Sequence, residues 1–508
     1  MVGTSWRLRC AAAAAAGLTA ASVFGPVAGT AQAAQAAHAA QASGPRVKLV
    51  AAQRNITAGR FGRQVYLDPG IWVASLGSTL QLDVQRPDYA APLTVTQVVH
   101  LAGGGVQRIP WPASVIGKVP RGLRDFAVMT IRSARGKVVG SRRLEFCPNS
   151  YDPERSSPSS PATSRYPQEC VGDPFPRSLV WGIARGWAVD PAEQNFTSFR
   201  LGLGHYTVTE TISPTYTKLL GIPATSASAA VRLKVVKGSG CCGELSAPAA
   251  HPAPSRPLSR PLASAPAAAD LANPPVSARP DLVPLPSWGI STRHYRKTKH
   301  SPASDQLDFN ATVSVGGNAP LDVEGFRSNG SPVMQAYQYF SQNGKIIGRA
   351  RAGTMGFDTK KGHDHWHFEQ FAQYRLLNSQ RQLAVRSHKV GFCIAPTDPV
   401  DLLLPAAEWQ PNYLGFGGQC GSPTALWVRE QLPVGWADTY EQSVAGQAFN
   451  ITGLHNGTYY VEVAANPEHV LYETDTSNDV SLRRVILGGR PGHRTVRVPA
   501  YDGIDPEG

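Results

Sequence analysis

Three histidines, His363, His365 and His367, fall within five residues, interleaved with Asp364 and Trp366. The chain has 13 histidines in all, so the cluster is dense. On a helix the middle imidazole would point away from the other two. On a strand all three share one face, and Trp366 and Phe368 share the other. A strand thus presents three imidazoles together and packs aromatic rings behind them. Such a set suits copper, zinc, iron or nickel, and does not suit calcium or magnesium. The outer two positions lie about 13 Å apart along an ideal strand, so one ion could meet all three only if the strand curves or bulges. A surface histidine cluster is the competing reading, and the triplet by itself does not identify the metal.

A second grouping is rich in oxygen. Glu473, Asp475, Asn478 and Asp479 lie within seven residues. Such ligands suit a hard cation, calcium first. The other reading is an Asx-rich turn capped by its own side chains.

The elements that must position these groups read as short strands with turn signals between them. From 46 to 243 the chain alternates through VKLVAAQ, STLQLDV, APLTVTQVVHL, FAVMTIR and VRLKVV. That spacing predicts an N-terminal β-sandwich. From 281 to 489 it continues with DFNATVSVGG, HWHFEQFAQYRLL, KVGFCIA, GTYYVEVAA and SLRRVILG. No helical stripe rivals them, so the fold class is all-β. Residues 244–280 are rich in Ala, Pro and Ser without apolar periodicity, and predict a disordered or semi-extended linker. Residues 490–508 read as a basic, frayed tail.

Arg7 and Arg9 precede a small, weakly apolar run over 11–29, with AQA at 31–33. This predicts a secretory signal over 1–33 and an extracellular protein. No stretch is long and apolar enough to predict a membrane span. Setting Cys10 aside with the signal leaves Cys147, Cys170, Cys241, Cys242, Cys393 and Cys420, an even set for an exported chain. Proximity favours Cys147–Cys170 and Cys393–Cys420. Cys241 and Cys242 could bond to each other or elsewhere. The formal charge is +13. It could draw the N-terminal region to an acidic cell-wall or extracellular polymer. No nucleic-acid motif accompanies it, so no nucleic-acid partner is expected.

The run GTMGFDTKKGHDHWHFEQFAQYRLL resembles the copper-binding segment of lysyl oxidases. SHKVGFC at 387–393, WADTYEQ at 436–442 and NGTYYVEVAANPEHVLYETDTSND at 456–479 resemble further segments of that family, in the same order. The resemblance covers 281–489. It implies that His363, His365 and His367 bind copper. It implies that Lys389 and Tyr440 are the precursors of lysine tyrosylquinone, a cofactor built from the protein's own side chains. It adds Asp281 and the backbone carbonyl of Leu282 to Glu473, Asp475, Asn478 and Asp479 as a calcium site. The implied activity is oxidative deamination of primary amines, peptidyl lysine in particular, to aldehydes with release of hydrogen peroxide and ammonia. Gln373 stands where the family often has a histidine, so no base can be carried over there. Asp438, beside Tyr440, is a candidate. The competing classes are a non-catalytic metal-binding module and a three-histidine zinc hydrolase. Neither gives Lys389 and Tyr440 a role.

Overall fold

A computed structural model describes residues 47–238 and 263–507, apart from 102, 118, 151, 169, 193, 196, 329, 360–363, 388, 390, 412–418 and 442–446. The expected signal, Cys241, Cys242, the linker up to 262 and His363 lie outside the described residues.

The regular structure of the described residues is almost wholly β-strand, as the alternating patterns predict. The N-terminal half holds a seven-stranded sheet and two four-stranded sheets. The strand Leu123–Ser133 shows the cause: Phe126, Met129 and Ile131 are buried, while Arg124 and Arg132 face out. The disulfide Cys147–Cys170 is present. One short helix, Pro214–Leu219, starts on a proline, which suits a helix's first turn.

The C-terminal half has three sheets. The first runs, in spatial order, His365–Phe368, Lys345–Asp358, Val333–Gln342, Leu321–Phe326 and Trp427–Leu432. The second centres on Ser304–Gly317, flanked by Pro280–Pro284 and Trp436–Tyr440. The third pairs Ala372–Leu377 with Gly457–Ala465 and then Val480–Arg490. HWHFEQFAQYRLL, read as one run, is therefore two strands in two different sheets. A turn at Glu369 and Gln370 separates them, and Phe368 and Phe371 on either side are both buried.

The two halves share their cores. Leu285, Val400 and Ala437 belong to the apolar cluster of the N-terminal half. Tyr166, Val180 and Ala184 belong to that of the C-terminal half. Across the seam, the Arg177 N–H donates to the Val400 carbonyl (2.7 Å) and the Leu402 N–H to the Ser178 carbonyl (3.0 Å). Asp398 accepts from the Gly172 N–H at 2.8 Å. Trp288 donates its indole N–H to Asp173 at 3.1 Å.

The described end of the linker, from 263, lies on the first C-terminal sheet. The Ala265 N–H donates to Glu324 (2.6 Å), Leu271 and Arg349 share a backbone hydrogen bond (2.7 Å), and Ala278 is buried against Phe340 and Ala350. Leu271 sits over Gly348, where a Cβ would be 2.3 Å away. Isolated apolar residues meeting a bare glycine leave no periodic signal in the sequence, which is why composition reads this stretch as a spacer. The tail is also tied down. His493–Arg497 pairs with Val480–Arg490, Glu507 meets the buried Arg483 at 3.1 Å, and Tyr501 packs edge-on against Phe175.

Asp173 is buried in the seam. Desolvation, then the neighbouring Asp398, push its carboxyl up to about 7, against hydrogen bonds from Thr312, the Phe175 N–H and Trp288. A carboxyl raised above its unfolded value of 3.8 stabilises the fold fully below that value and loses this contribution as pH rises through about 7. The melting temperature should therefore be lower at pH 8 than at pH 5.5. Asp173→Asn, followed by calorimetry across that range, should flatten the dependence; an unchanged slope would refute the assignment.

Candidate active site

The strand His365–Phe368 forms the edge of its sheet and pairs with Lys345–Asp358, setting His365 opposite Asp358 and His367 opposite Gly356. Trp366 and Phe368 enter the core, as strand alternation requires. Trp366 also donates its indole N–H to the Ser422 carbonyl at 2.9 Å, and the Arg327 guanidinium lies 4.8 Å from its ring centre. His365 and His367 share the other face, both buried, with ring centres 4.8 Å apart. Nδ1 of His367 lies 3.7 Å from a carboxylate oxygen of Asp358. Immediately before the strand, Asp364 has φ +40°, a left-handed conformation that Asp tolerates better than most residues. The backbone thus departs from a straight strand at Asp364, next to His365.

The second wall is the segment ending in Cys393. Phe392 exchanges both backbone hydrogen bonds with Phe368 (2.8 and 3.0 Å), and the Trp366 N–H donates to the Cys420 carbonyl (2.8 Å). The disulfide Cys393–Cys420 joins these two segments, so it pins both to the free edge of the histidine strand. KVGFCIA, which reads as a strand, is mostly irregular here. Gly391 permits the approach: a Cβ there would lie 2.8 Å from the His367 Cβ.

The third element is Trp436–Tyr440, held in the second sheet with Tyr440 opposite Ala311. The Tyr440 hydroxyl accepts from the Cys393 N–H (2.7 Å) and donates to the Cys393 carbonyl (3.1 Å). The Phe392 ring stands edge-on to it at 5.1 Å. Nζ of Lys389 lies 4.4 Å from the centre of the Tyr440 ring. Lys389 and Tyr440 are both buried.

Buried acids surround this pair. Burial raises the Asp438 carboxyl well above its usual range; Lys389 opposes that shift and Asp398 adds to it. Burial likewise lifts the Tyr440 phenol far above 10, reinforced by Asp438, Tyr374 and Glu430. Glu430 accepts from the Ile394 N–H at 2.9 Å, and burial raises its carboxyl strongly. Sequence reading missed Glu430. Its signal was there: in WVREQL it occupies the apolar phase of alternation with Val428 and Leu432, and all three are buried.

Part of the chain is similar in sequence to known proteins. Residues 338–493 match the lysyl oxidase family model. Similar proteins include lysyl oxidase homolog 2 of Gallus gallus, 28% identical over 149 residues, which is 29% of this chain and 17% of the relative. Lysyl oxidase homolog 4 of Bos taurus is 28% identical over 148 residues, 29% of this chain and 18% of the relative. Lysyl oxidase homolog 2 of Homo sapiens is 28% identical over 141 residues, 27% and 16% of the two chains. The matched stretch therefore spans under a fifth of each of these relatives. The matched stretch holds His365, His367, Lys389 and Tyr440.

The oxygen-rich group is only partly assembled. Asn478 donates to both carboxylate oxygens of Asp281 (3.3 Å each), and the Leu282 N–H donates to Glu473 (3.3 Å). Desolvation raises the Glu473 carboxyl to about 7, against a hydrogen bond from Asn466 and with help from Asp479 and Asp281. Asp475 instead is exposed and accepts from the N–H and hydroxyl of Ser477, as an Asx turn does. Among the described residues no three His, Cys, Asp or Glu side chains converge at metal-ligand spacing.

Gly391→Ala should force the 391–393 segment off the histidine strand. Overpacking of this kind costs about 1–3 kcal/mol. Denaturant unfolding should show a loss in that range, and wild-type stability would disprove the close-packing argument.

Proposed function

We propose that the protein is a secreted, copper-dependent amine oxidase that converts primary amines, peptidyl lysine foremost, to aldehydes, consuming dioxygen and water and releasing hydrogen peroxide and ammonia. The observation that carries this reading is the approach of the Lys389 amine to the Tyr440 ring, 4.4 Å from its centre, in a buried site. An ordinary core avoids a buried lysine, because desolvation disfavours the ammonium. Here it is set against the one ring it would need to reach.

His363, His365 and His367 would hold copper. His365 and His367 fit this as neighbouring imidazoles on one strand face, with Asp358 near enough to orient His367. A lysine tyrosylquinone formed from Lys389 and Tyr440 supplies an electron sink for amine oxidation, and copper with dioxygen supplies the oxidant that builds it.

This chain's own groups prepare that chemistry. The Cys393 backbone holds the Tyr440 hydroxyl, and so the ring, in one orientation. To act as a nucleophile, Lys389 must lose a proton. Asp438 is in electrostatic reach of Lys389, and burial raises the proton affinity of its carboxylate, which makes that carboxylate a fitting acceptor. Arg7, Arg9 and the small, weakly apolar run over 11–29 support export. Asp281, the Leu282 carbonyl, Glu473, Asp475, Asn478 and Asp479 would hold calcium as a structural ion, joining the first and last strands of the region.

Peptide mapping by mass spectrometry, on protein purified with copper in air, should find a covalent Lys389–Tyr440 peptide that is absent from Tyr440→Phe. Peroxide release on adding a primary amine should vanish in the same variant. Unmodified Lys389 and Tyr440 peptides in copper-loaded protein would overturn the oxidase and leave a metal-binding module. His365→Ala and His367→Ala should each lose copper and the crosslink together.

A further inference from the structure

The N-terminal half has no counterpart within the 338–493 match, yet it contacts the chain that wraps the Tyr440 strand. Residues 394–411 run from the disulfide around that strand. The Ile394 N–H meets Glu430, Asp398 and Pro399 pair with Ala437 and Trp436, and the Trp436 indole N–H donates to the Glu408 carbonyl. Val400 and Asp401 also donate to the Gly435 carbonyl (2.8 and 3.0 Å), and Glu408 to the Val434 carbonyl (3.2 Å). The segment's described backbone forms no strand beyond the two residues Asp398 and Pro399.

The N-terminal half adds a second set of contacts. Ser178 contacts the segment four ways. Its N–H donates to the Val400 carbonyl (3.2 Å). Its carbonyl accepts from the Leu402 N–H (3.0 Å), its hydroxyl accepts from the Leu403 N–H (2.9 Å), and the same hydroxyl donates to Asp401. Gly172 and Asp173 both donate backbone N–H groups to Asp398, at 2.8 and 3.2 Å. Farther along, the Tyr166 ring stacks on Trp409 at 5.9 Å, Arg165 lies 4.8 Å from the same indole, and Gln410 donates to the Tyr166 carbonyl (2.7 Å). The apolar contacts agree, since Tyr166 is part of the C-terminal core while Val400 and Ala437 are part of the N-terminal one.

We propose that the N-terminal half is a built-in brace of the amine oxidase site, with Ser178 and Tyr166 acting as positioning residues that hold 398–410 in place and, through it, the strand bearing Asp438 and Tyr440. The proposal rests on the oxidase reading for its consequence, but not for its geometry. A lysine amine would add to a tyrosine ring oxidised by copper and dioxygen only within a narrow range of distance and orientation. A brace that fixes one of the two elements therefore governs how much crosslink forms. This role differs from that of a module that only tethers the enzyme to a polymer, because it acts on the site itself.

The test uses the whole chain with Ser178→Ala, Ser178→Thr and Trp409→Leu. Hydrogen exchange followed by mass spectrometry should show 398–410 exchanging about tenfold faster in Ser178→Ala and Trp409→Leu, with Gly457–Ala465 still protected. Ser178→Thr retains the hydroxyl and should restore slow exchange. At equal folded fraction, the yield of Lys389–Tyr440 crosslink should fall about tenfold in the first two variants and recover in the third. Exchange within twofold of the parent in both would overturn the brace. So would faster exchange with an undiminished crosslink, since that is the signature of a purely structural contact. If the parent itself forms no crosslink, the oxidase reading fails, and the exchange data alone still decide whether the N-terminal half holds the segment.

Discussion

The site depends on how the Tyr440 hydroxyl is held. It both accepts from and donates to the backbone of Cys393, and Cys393 is itself fixed in two directions. Its disulfide ties it to Cys420, and its neighbour Phe392 pairs with Phe368 on the histidine strand. One phenol thus couples the strand that carries His365 and His367, the segment that carries Lys389, and the strand that carries Tyr440. A phenol in the core must find partners or incur a large desolvation cost. Here its partners are backbone groups of the segment that brings the lysine, so satisfying the hydroxyl and assembling the site are one event.

Burial explains the electrostatics around it. Asp438, Glu430 and Tyr440 are each pushed toward their neutral forms chiefly by desolvation, and the acids reinforce one another. Lys389 is the cation among them that opposes the shift of Asp438. A lysine in such surroundings is shielded from water, and desolvation disfavours an ammonium there. Both conditions favour nucleophilic chemistry of an amine. The same arrangement would be a liability in a purely structural core, where apolar residues of similar volume would fill the space without titrating.

The seam between the halves follows a related logic. Asp173 and Asp398 are two acids in one desolvated place, satisfied by backbone N–H groups, Thr312 and Trp288. Polar seams of this kind fix register more than they add stability, since each acceptor demands a specific donor. The C-terminal tail closes the same region, with Tyr501 against Tyr89 and Phe175 and with Glu507 on Arg483. The mixed membership of the two apolar clusters makes the described chain from residue 47 onward a single packed body.

Much of this was legible in the residues themselves. Period-two alternation determined the all-β class, and it placed His365 and His367 on one face with Trp366 and Phe368 behind them, because side-chain direction along a strand is a local property. Proximity named both observed disulfides. The motif order named Lys389 and Tyr440, but no local rule could bring together residues 51 positions apart (440 − 389) on different elements. Only the tertiary structure decided that, through the Cys393–Tyr440 hydrogen bonds and the pairing of Phe392 with Phe368. It also decided that one apparent strand over 365–377 divides between two sheets, and that residues 263–280 pack on a sheet where composition reads a spacer. Above all, it decided that the N-terminal half meets the 398–410 segment. These outcomes rest on contacts between residues distant in sequence, whose strength depends on shape and burial, and neither property is written in local pattern.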